Sequence, residues 1–344
     1  MPYNKFDLLL LHRNFNLLVT KLVKHSSTRK DLKLPALAIS VIMLTIVLAI
    51  QCGSKKPTQF DETPTRGNIH IVADASFQPI VDAEIYTFTA IYKNARITPA
   101  YMAETDLISA FLNDSVKVVV SSWEPTAQQK ELLLSMQTIV RTTTVAYDAI
   151  ALVLNKKNKD SLFTYQNVND IFTGKMTDWK EINPASKLGK MVAVFDNDKS
   201  ANIRYFKEKF NLPAQLPANF YSVKSNEQVI DYVSKNKSAI GLVSVNWICD
   251  RKDSVSRSFS DKIKIAAVAD LVLSPGSYFL PVQGSIYDKS YPFTRKIYMV
   301  SRESFKGLGT GFISWVSGEQ GQRIILKSGL VPATMPIRLI QFKK

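Results

Sequence analysis

From residue 68 onward, short apolar runs alternate with polar turns, and most of the turns open a stretch of helical periodicity. The run Asn-Ile-His-Ile-Val-Ala at 68–73 reads as a strand. The turn Asp74, Ala75, Ser76, Phe77 follows, and Val81, Ile85, Phe88 and Tyr92 then recur at i, i+4, i+7 and i+11 on one helix face. Ser76 stands where an N-cap belongs, and Pro79 is tolerated in a first turn. The same order returns at 191–210. An apolar run (Met-Val-Ala-Val-Phe) leads into Asp196, Asn197, Asp198 and Lys199, and from Ser200 the residues Ile203, Phe206 and Phe210 recur at helical spacing, with Asn211 and Pro213 as stop signals. Between and beyond these lie strand-like runs at 116–120, 149–154 and 240–247, and a capping-box pattern at Ser225 and Gln228 before Val229, Tyr232 and Val233. Strands alternating with helices predict parallel sheets, with ligands at the carboxyl ends of the strands.

Three Ser-containing turns fall at such ends: 74–77, 121–124 and 197–202. The first backbone amides of a helix have no internal partner and sit at the positive end of its dipole, so a strand–turn–helix junction suits an anion. Ser200 and Asn202 add side-chain donors to the junction at 200. An ordinary capped helix has the same local pattern.

The 344 residues allow about two domains, and 46% hydrophobic with 21% charged residues is a globular composition with a sizeable core. The net charge is +15; residues 1–56 hold nine Lys and Arg against two Asp, leaving +8 for the remainder. This moderate excess suits an anionic small ligand or an anionic membrane surface. No Arg-rich run or zinc spacing supports nucleic-acid binding. Residues 34–50 carry no charge, Arg29, Lys30 and Lys33 precede them, and Cys52 follows at once. That layout reads as a signal segment or as an uncleaved membrane anchor, and either places the folded part outside the cytoplasmic membrane. Residues 53–66 are a polar, Pro-containing tether. With Cys52 and Cys249 as the two cysteines and histidines at 12, 25 and 70, neither a metal site nor another cofactor is expected. No histidine lies beyond residue 70 to act as the base for Ser121, Ser122 or Ser200, and no Walker-type loop occurs, so enzymatic activity is not expected.

Four collinear segments carry a family resemblance. They are Ile-Phe-Thr-Gly-Lys…Trp-Lys-Glu-Ile at 171–182, Ala-Ile-Gly-Leu-Val-Ser-Val-Asn-Trp at 239–247, Tyr-Pro-Phe-Thr-Arg-Lys-Ile-Tyr at 291–298, and 307–332 with its Gly-Phe, Gly-Gln and Gly-Leu-Val-Pro pairs. Across about residues 67–340 the chain resembles the phosphate-binding component of the high-affinity phosphate ABC importer, a periplasmic solute-binding (PstS-like) family, and especially its short lipoprotein branch. The basic–apolar–Cys52 order resembles a lipoprotein signal, departing from it at Gln51. The resemblance implies an α/β, two-lobe periplasmic-binding-protein fold of type II, each lobe a central sheet flanked by helices, with two crossover strands as the hinge. On this reading 1–52 is the signal or anchor segment, 53–66 the tether, 67–148 with 263–344 the first lobe, and 149–262 the inserted second lobe. It further implies a monomer without enzymatic activity, held at the outer face of the cell membrane, that binds phosphate or a related oxyanion and hands it to an ABC permease.

Matched to the family's three ligand turns, the contacts would come from Ala75, Ser76 and Phe77, from Ser121 and Ser122, and from Ser200, Ala201 and Asn202. Arg204, one helical turn on, is a further ligand candidate or a solvated helix-face arginine. Two positions depart from the pattern: Trp123 stands where the family has a charged residue, and Asp196 where its long-chain members have an arginine. A carboxylate beside an anion is repulsive unless it takes the ligand's proton or meets a cation. These departures leave a second reading, a degenerate membrane-tethered domain with a sensing or scaffolding role.

Overall fold

The computed structural model describes residues 62–249, 254–269 and 276–336. They belong to one compact unit, Gln59–Lys344. The other unit, Met1–Thr58, holds the charge-free run and Cys52, and these lie outside the described residues.

Twelve strands are present among the described residues: β1 (Gly67–Asp74), β2 (Ala95–Met102), β3 (Val118–Ser121), β4 (Arg141–Asn155), β5 (Leu162–Thr164), β6 (Val192–Phe195), β7 (Phe220–Ser222), β8 (Ala239–Ser244), β9 (Ile263–Ile265), β10 (Ala267–Ala269), β11 (Thr294–Ser301) and β12 (Val331–Pro332). The helices that matter for the site are α1 (Gln78–Ile91), α2 (Glu104–Leu112), α3 (Ala127–Ser135), α4 (Tyr165–Phe172), α5 (Ala201–Lys209) and α6 (Asn226–Lys235). α7 (Ser254–Ser260), α8 (Gln283–Tyr287), α9 (Leu308–Ser317) and α10 (Glu319–Lys327) complete the set.

Ten strands share one sheet, in the order β2-β1-β3-β11-β4-β8-β6-β7, with β9 and β12 also paired to β4; β5 and β10 form a separate pair. The expected parallel pairing holds on both flanks, β2-β1-β3 and β8-β6-β7. It fails in the middle, where β11 is antiparallel to β3 and β4, and β4 is antiparallel to β8, β9 and β12. The long strand β4 explains the difference. Its first half pairs with β11 and β12 and its second half with β8 and β9, so one strand joins both flanks. Residues 145–155 of β4 are buried except Tyr147, the continuous pattern of a strand covered on both faces.

Around this strand lies one large core. It runs from Ile71, Phe77 and Phe88 through Ile150 and Leu152 to Phe195, Phe206 and Phe293. Gly241 on β8 lets α6 approach closely: a Cβ there would fall 2.7–2.8 Å from Val153, Val229 and Val233 side chains. A second core cluster gathers Leu107, Phe111, Val119 and Trp123. No described helix is long and apolar enough to cross a membrane.

Candidate functional site

The three polar turns do lie at the carboxyl ends of parallel strands. Asp74 ends β1, Ser121 ends β3, and Asp196 follows β6. The local structure differs from the expectation in instructive ways. Ser76 does not cap α1, because a 3-10 turn over Ala75–Phe77 intervenes, and the Asp74 carboxylate accepts from the Ser76 amide at 2.8 Å. Ser200 is the N-cap residue of α5, yet its hydroxyl does not bond the helix; it donates to Asp196 Oδ1 at 2.8 Å. The first amide of α5 is thereby left to a residue 127 positions away: Ala201 N donates to Asp74 Oδ2 at 3.3 Å.

That contact brings the first and third turns together. A carboxylate already sits at the positive end of α5, so the junction accepts an oxyanion-like group as its geometry suggests. Asp74, Ser76, Ser121, Asp196, Ser200 and Asn202 are all buried. Burial, with the Glu104 and Asp196 charges nearby, pushes the Asp74 carboxyl up to about 7, against the smaller downward pull of the Ser76 hydrogen bond and of Arg295. Asp196 is raised as well, by burial, although Ser200, Asn202 and backbone amides favour its charged form. Neutral donors thus surround Asp196: Ser200, Asn202 at 3.3 Å and Asn226 at 3.5 Å. A cleft of about 190 Å³ opens beside these groups, with Asp74, Ala75, Asp196, Asn226 and Trp247 on its walls.

The second turn joins through a side chain that the sequence reading had not singled out. Glu104, at the start of α2, is fully buried. Its Oε1 accepts from the amide of Ser122 at 3.1 Å and from the Ser122 hydroxyl at 3.0 Å. Arg204 completes the group: Nε pairs with Glu104 Oε2, Nη2 reaches Ser122 Oγ at 3.0 Å, and Nη1 bonds Glu208 at 2.7 Å. Arg204 is therefore not a solvated helix-face arginine but a bridge from α5 to the second turn, and against the downward pull of burial its partners Glu104 and Glu208 together hold its pKa above the ordinary value. Ser121 turns inward, accepting from the Trp123 amide at 3.0 Å. Trp123 itself packs edge-on against Phe111, with ring centroids 5.7 Å apart. The expected charged position after β3 is thus filled by core, and the charge near Ser122 comes from Glu104 and Arg204 instead.

Phe77 is buried with its ring 4.7 Å from the Arg295 guanidinium. Arg295 forms a buried ion pair with Asp148, Nε to Oδ2 at 2.9 Å. Sequence reasoning missed Asp74, Glu104, Asp148 and Arg295 as site residues. Asp74 and Arg295 lie inside segments it had marked, whereas an isolated Glu at 104 carries no local signal. Among the described residues no group of three or more His, Cys, Asp or Glu could hold a metal ion.

Comparison with known proteins bears on the family and the fold. A family model for the PBP superfamily domain matches residues 58–319. The phosphate-binding protein PstS of Borreliella burgdorferi is 22% identical over 304 residues, covering 85% of this chain and 97% of its own length. The protein of the same name from Staphylococcus epidermidis is 21% identical over 280 residues, covering 80% and 82%. Among solved structures, a protein from Clostridium perfringens with bound phosphate superposes with a TM-score of 0.65 at 23% identity, covering 78% of this chain and 100% of that one. An ABC-type phosphate transport receptor from Vibrio cholerae does so with a TM-score of 0.58 at 18% identity, covering 77% and 100%. The fold is thus the α/β arrangement of type II periplasmic binding proteins, as the sequence led us to expect.

Proposed function

The chain belongs to the PBP superfamily, and on that footing we propose that it is an extracytoplasmic solute-binding protein that captures inorganic phosphate, or a closely related oxyanion, for an ABC permease. The observation that carries this reading is the meeting of Asp74 with the first amide of α5. It joins two of the three donor turns at a helix N-terminus, where an anion is favoured. Ser76 Oγ, in the first of these turns, is buried and without a hydrogen-bond partner among the described residues. The named relatives, which are phosphate-binding proteins and a phosphate transport receptor, support the same ligand class.

The acids give the site its selectivity. Phosphate keeps a proton near pH 7 and sulfate keeps none. A carboxyl poised at about 7 accepts a hydrogen bond from a protonated oxyanion and repels one without a proton. Asp196, held by neutral donors, adds to that repulsion rather than to affinity. On this reading Ser200 acts through Asp196, Ser76 Oγ is the uncommitted donor, and the Ala201 amide, Ser122 and Arg204 would meet the ligand by exchanging their present carboxylate partners, Asp74, Glu104 and Glu208, for the anion. Binding without catalysis belongs to the same reading and is supported by the phosphate-binding relatives.

Titration calorimetry with phosphate, arsenate, sulfate and molybdate tests the proposal. Binding of phosphate and arsenate at micromolar concentrations or below, with sulfate much weaker, is the expected result. A folded chain that binds none of the four would overturn it. Anchoring by a lipid on Cys52, with the protein monomeric outside the membrane, belongs to the same proposal and rests on the basic–apolar–Cys order. Labelled fatty acid should enter the wild-type chain and not the Cys52→Ser variant; equal labelling rejects the anchor.

A further inference from the structure

The turn that carries Ser76 is gripped from its far side by a buried polar chain rooted in the central strands. Asn246 Nδ2 and Trp247 Nε1 both donate to the Ser76 carbonyl, at 2.8 and 2.9 Å. Asn246 also donates to Ser244 Oγ, which in turn donates to Asp148 Oδ1 at 2.8 Å. Asp148 Oδ2 accepts from Arg295 Nε at 2.9 Å, and the Arg295 guanidinium stacks on Phe77, so the chain closes on the turn where it began. Asp148, Ser244, Asn246, Trp247 and Arg295 are all buried. They stand on β11, β4 and β8, three neighbouring strands at the middle of the sheet, and on the residues just after β8.

Two features suggest that this ring does more than fill space. With its amide bonded to Asp74 and its carbonyl to Asn246 and Trp247, Ser76 has one polar atom uncommitted, Oγ, and that atom is buried. Second, the two terminal nitrogens of Arg295 are buried and have no hydrogen-bond partner among the described residues. A buried guanidinium so poorly satisfied is costly to keep. Its position explains the retention. Asp74 is faced by Glu104 from α2, by Asp196 from the end of β6, and by Arg295 from β11, with Lys224 and Glu227 along the cleft wall. Within that set Arg295 is the buried cation.

We propose that Arg295, Asn246 and Trp247 are positioning residues of the anion site: they orient Ser76 Oγ through the Ser76–Phe77 turn, and Arg295 supplies the buried positive charge that lets a carboxylate-rich cleft admit an anion. The inference rests on the phosphate-binding reading above. None of the three needs to touch the ligand. Trp247 and Asn246 act through a carbonyl, and Arg295 acts through a stacked ring and through its field at Asp74.

The test compares the full-length chain in detergent micelles with Trp247→Phe, Arg295→Lys and Arg295→Met, titrated with phosphate by calorimetry on both sides of about pH 7. Trp247→Phe keeps the ring and removes one donor, so affinity should fall about threefold to tenfold. Arg295→Met should lose roughly tenfold or more, and the pH at which affinity changes should move upward, because Asp74 holds its proton more tightly without the cation. Arg295→Lys keeps the charge and loses the planar fork, so it should retain the wild-type pH profile with weakened binding. Should Arg295→Met fail to fold, Asp148→Leu/Arg295→Met removes the pair without leaving an orphaned charge and takes its place for the affinity readout, since a neutral pair is lost and the pH profile is then read from Arg295→Lys. Folded variants with wild-type affinity and wild-type pH profile overturn the inference alone. A wild-type chain that binds no phosphate overturns both this inference and the reading on which it rests.

Discussion

At the scale of single residues, the site is a balance between donors that invite an anion and carboxyls that resist one. Asp74 sets that balance, and its titration has a consequence for stability. Its folded value is about 7 against an ordinary 3.8. Because the folded state holds the proton more tightly, the contribution of this group is greatest in acid and is lost as pH rises from about 4 through about 7. A displacement of that size is worth about 4 kcal/mol at most. Asp74→Asn, which carries no titrating proton, should flatten the dependence. The difference in ligand-free melting temperature between acid and mildly alkaline solution should shrink in the variant, and an unchanged difference would place the titration elsewhere. Residue roles were the least legible part of the sequence. Ser76, Ser122 and Ser200 could be marked from their turns, but what each hydroxyl bonds could not. Ser200 meets Asp196 four residues back, Ser122 meets Glu104 eighteen residues back, and Ser76 keeps its hydroxyl uncommitted. Glu104 and Arg204 find each other across 100 positions, and no window on one sequence contains both.

At the scale of elements, legibility was much higher, since periodicity and turn chemistry are local. The strand, turn and helix at 192–209 and the strand and helix flanking Asp74 appear close to where the pattern puts them. What the pattern could not give was the direction of pairing. β4 and β11 are apolar enough to be buried, but only the assembled sheet makes them antiparallel strands rather than members of a parallel set. The run at 240–247 shows the limit: it is a strand only to Ser244, and Val245–Trp247 then tightens into a 3-10 turn that delivers Asn246 and Trp247 to the Ser76 carbonyl. Close packing upstream of that turn yields a second prediction. At Gly241 a methyl group would fall 2.7–2.8 Å from three valine side chains on β4 and α6. Branched side chains fixed in a packed core give way poorly, so Gly241→Ala should cost about 1–3 kcal/mol. Denaturant unfolding should show a lower midpoint with an unaltered slope. A midpoint equal to wild type would mean that α6 shifts freely on β8, and that the strand preceding the Asn246–Trp247 grip is soft.

At the scale of the whole molecule, the question is how the parts of the chain before and after the middle of β4 meet at the site. Their contacts at the mouth are polar and unequal. Lys199 pairs with Asp106 at 3.2 Å, but both side chains are 55% exposed, and such a pair contributes about 0–1 kcal/mol. Arg204 pairs with Glu104, whose side chain is 1% exposed, and the same guanidinium reaches Ser122. Removing one partner of a buried pair strands the other and can cost about 3–5 kcal/mol; Arg204 at 29% exposure lowers that figure through solvent screening. The Arg204–Glu104 bridge should therefore be the principal latch of the ligand-free molecule, with Lys199–Asp106 incidental. Removing Arg204 should leave the Glu104 charge to be relieved by water entering the cleft, which means opening about β4, the strand shared by both flanks. Small-angle scattering without ligand should then give a larger radius of gyration for Arg204→Ala than for wild type, and no change for Lys199→Ala. Phosphate, by drawing α5 and the Ser76 turn onto one anion, should restore part of the compaction in Arg204→Ala. A radius that is the same in both variants and in wild type, with and without phosphate, would mean that this mouth neither latches nor closes.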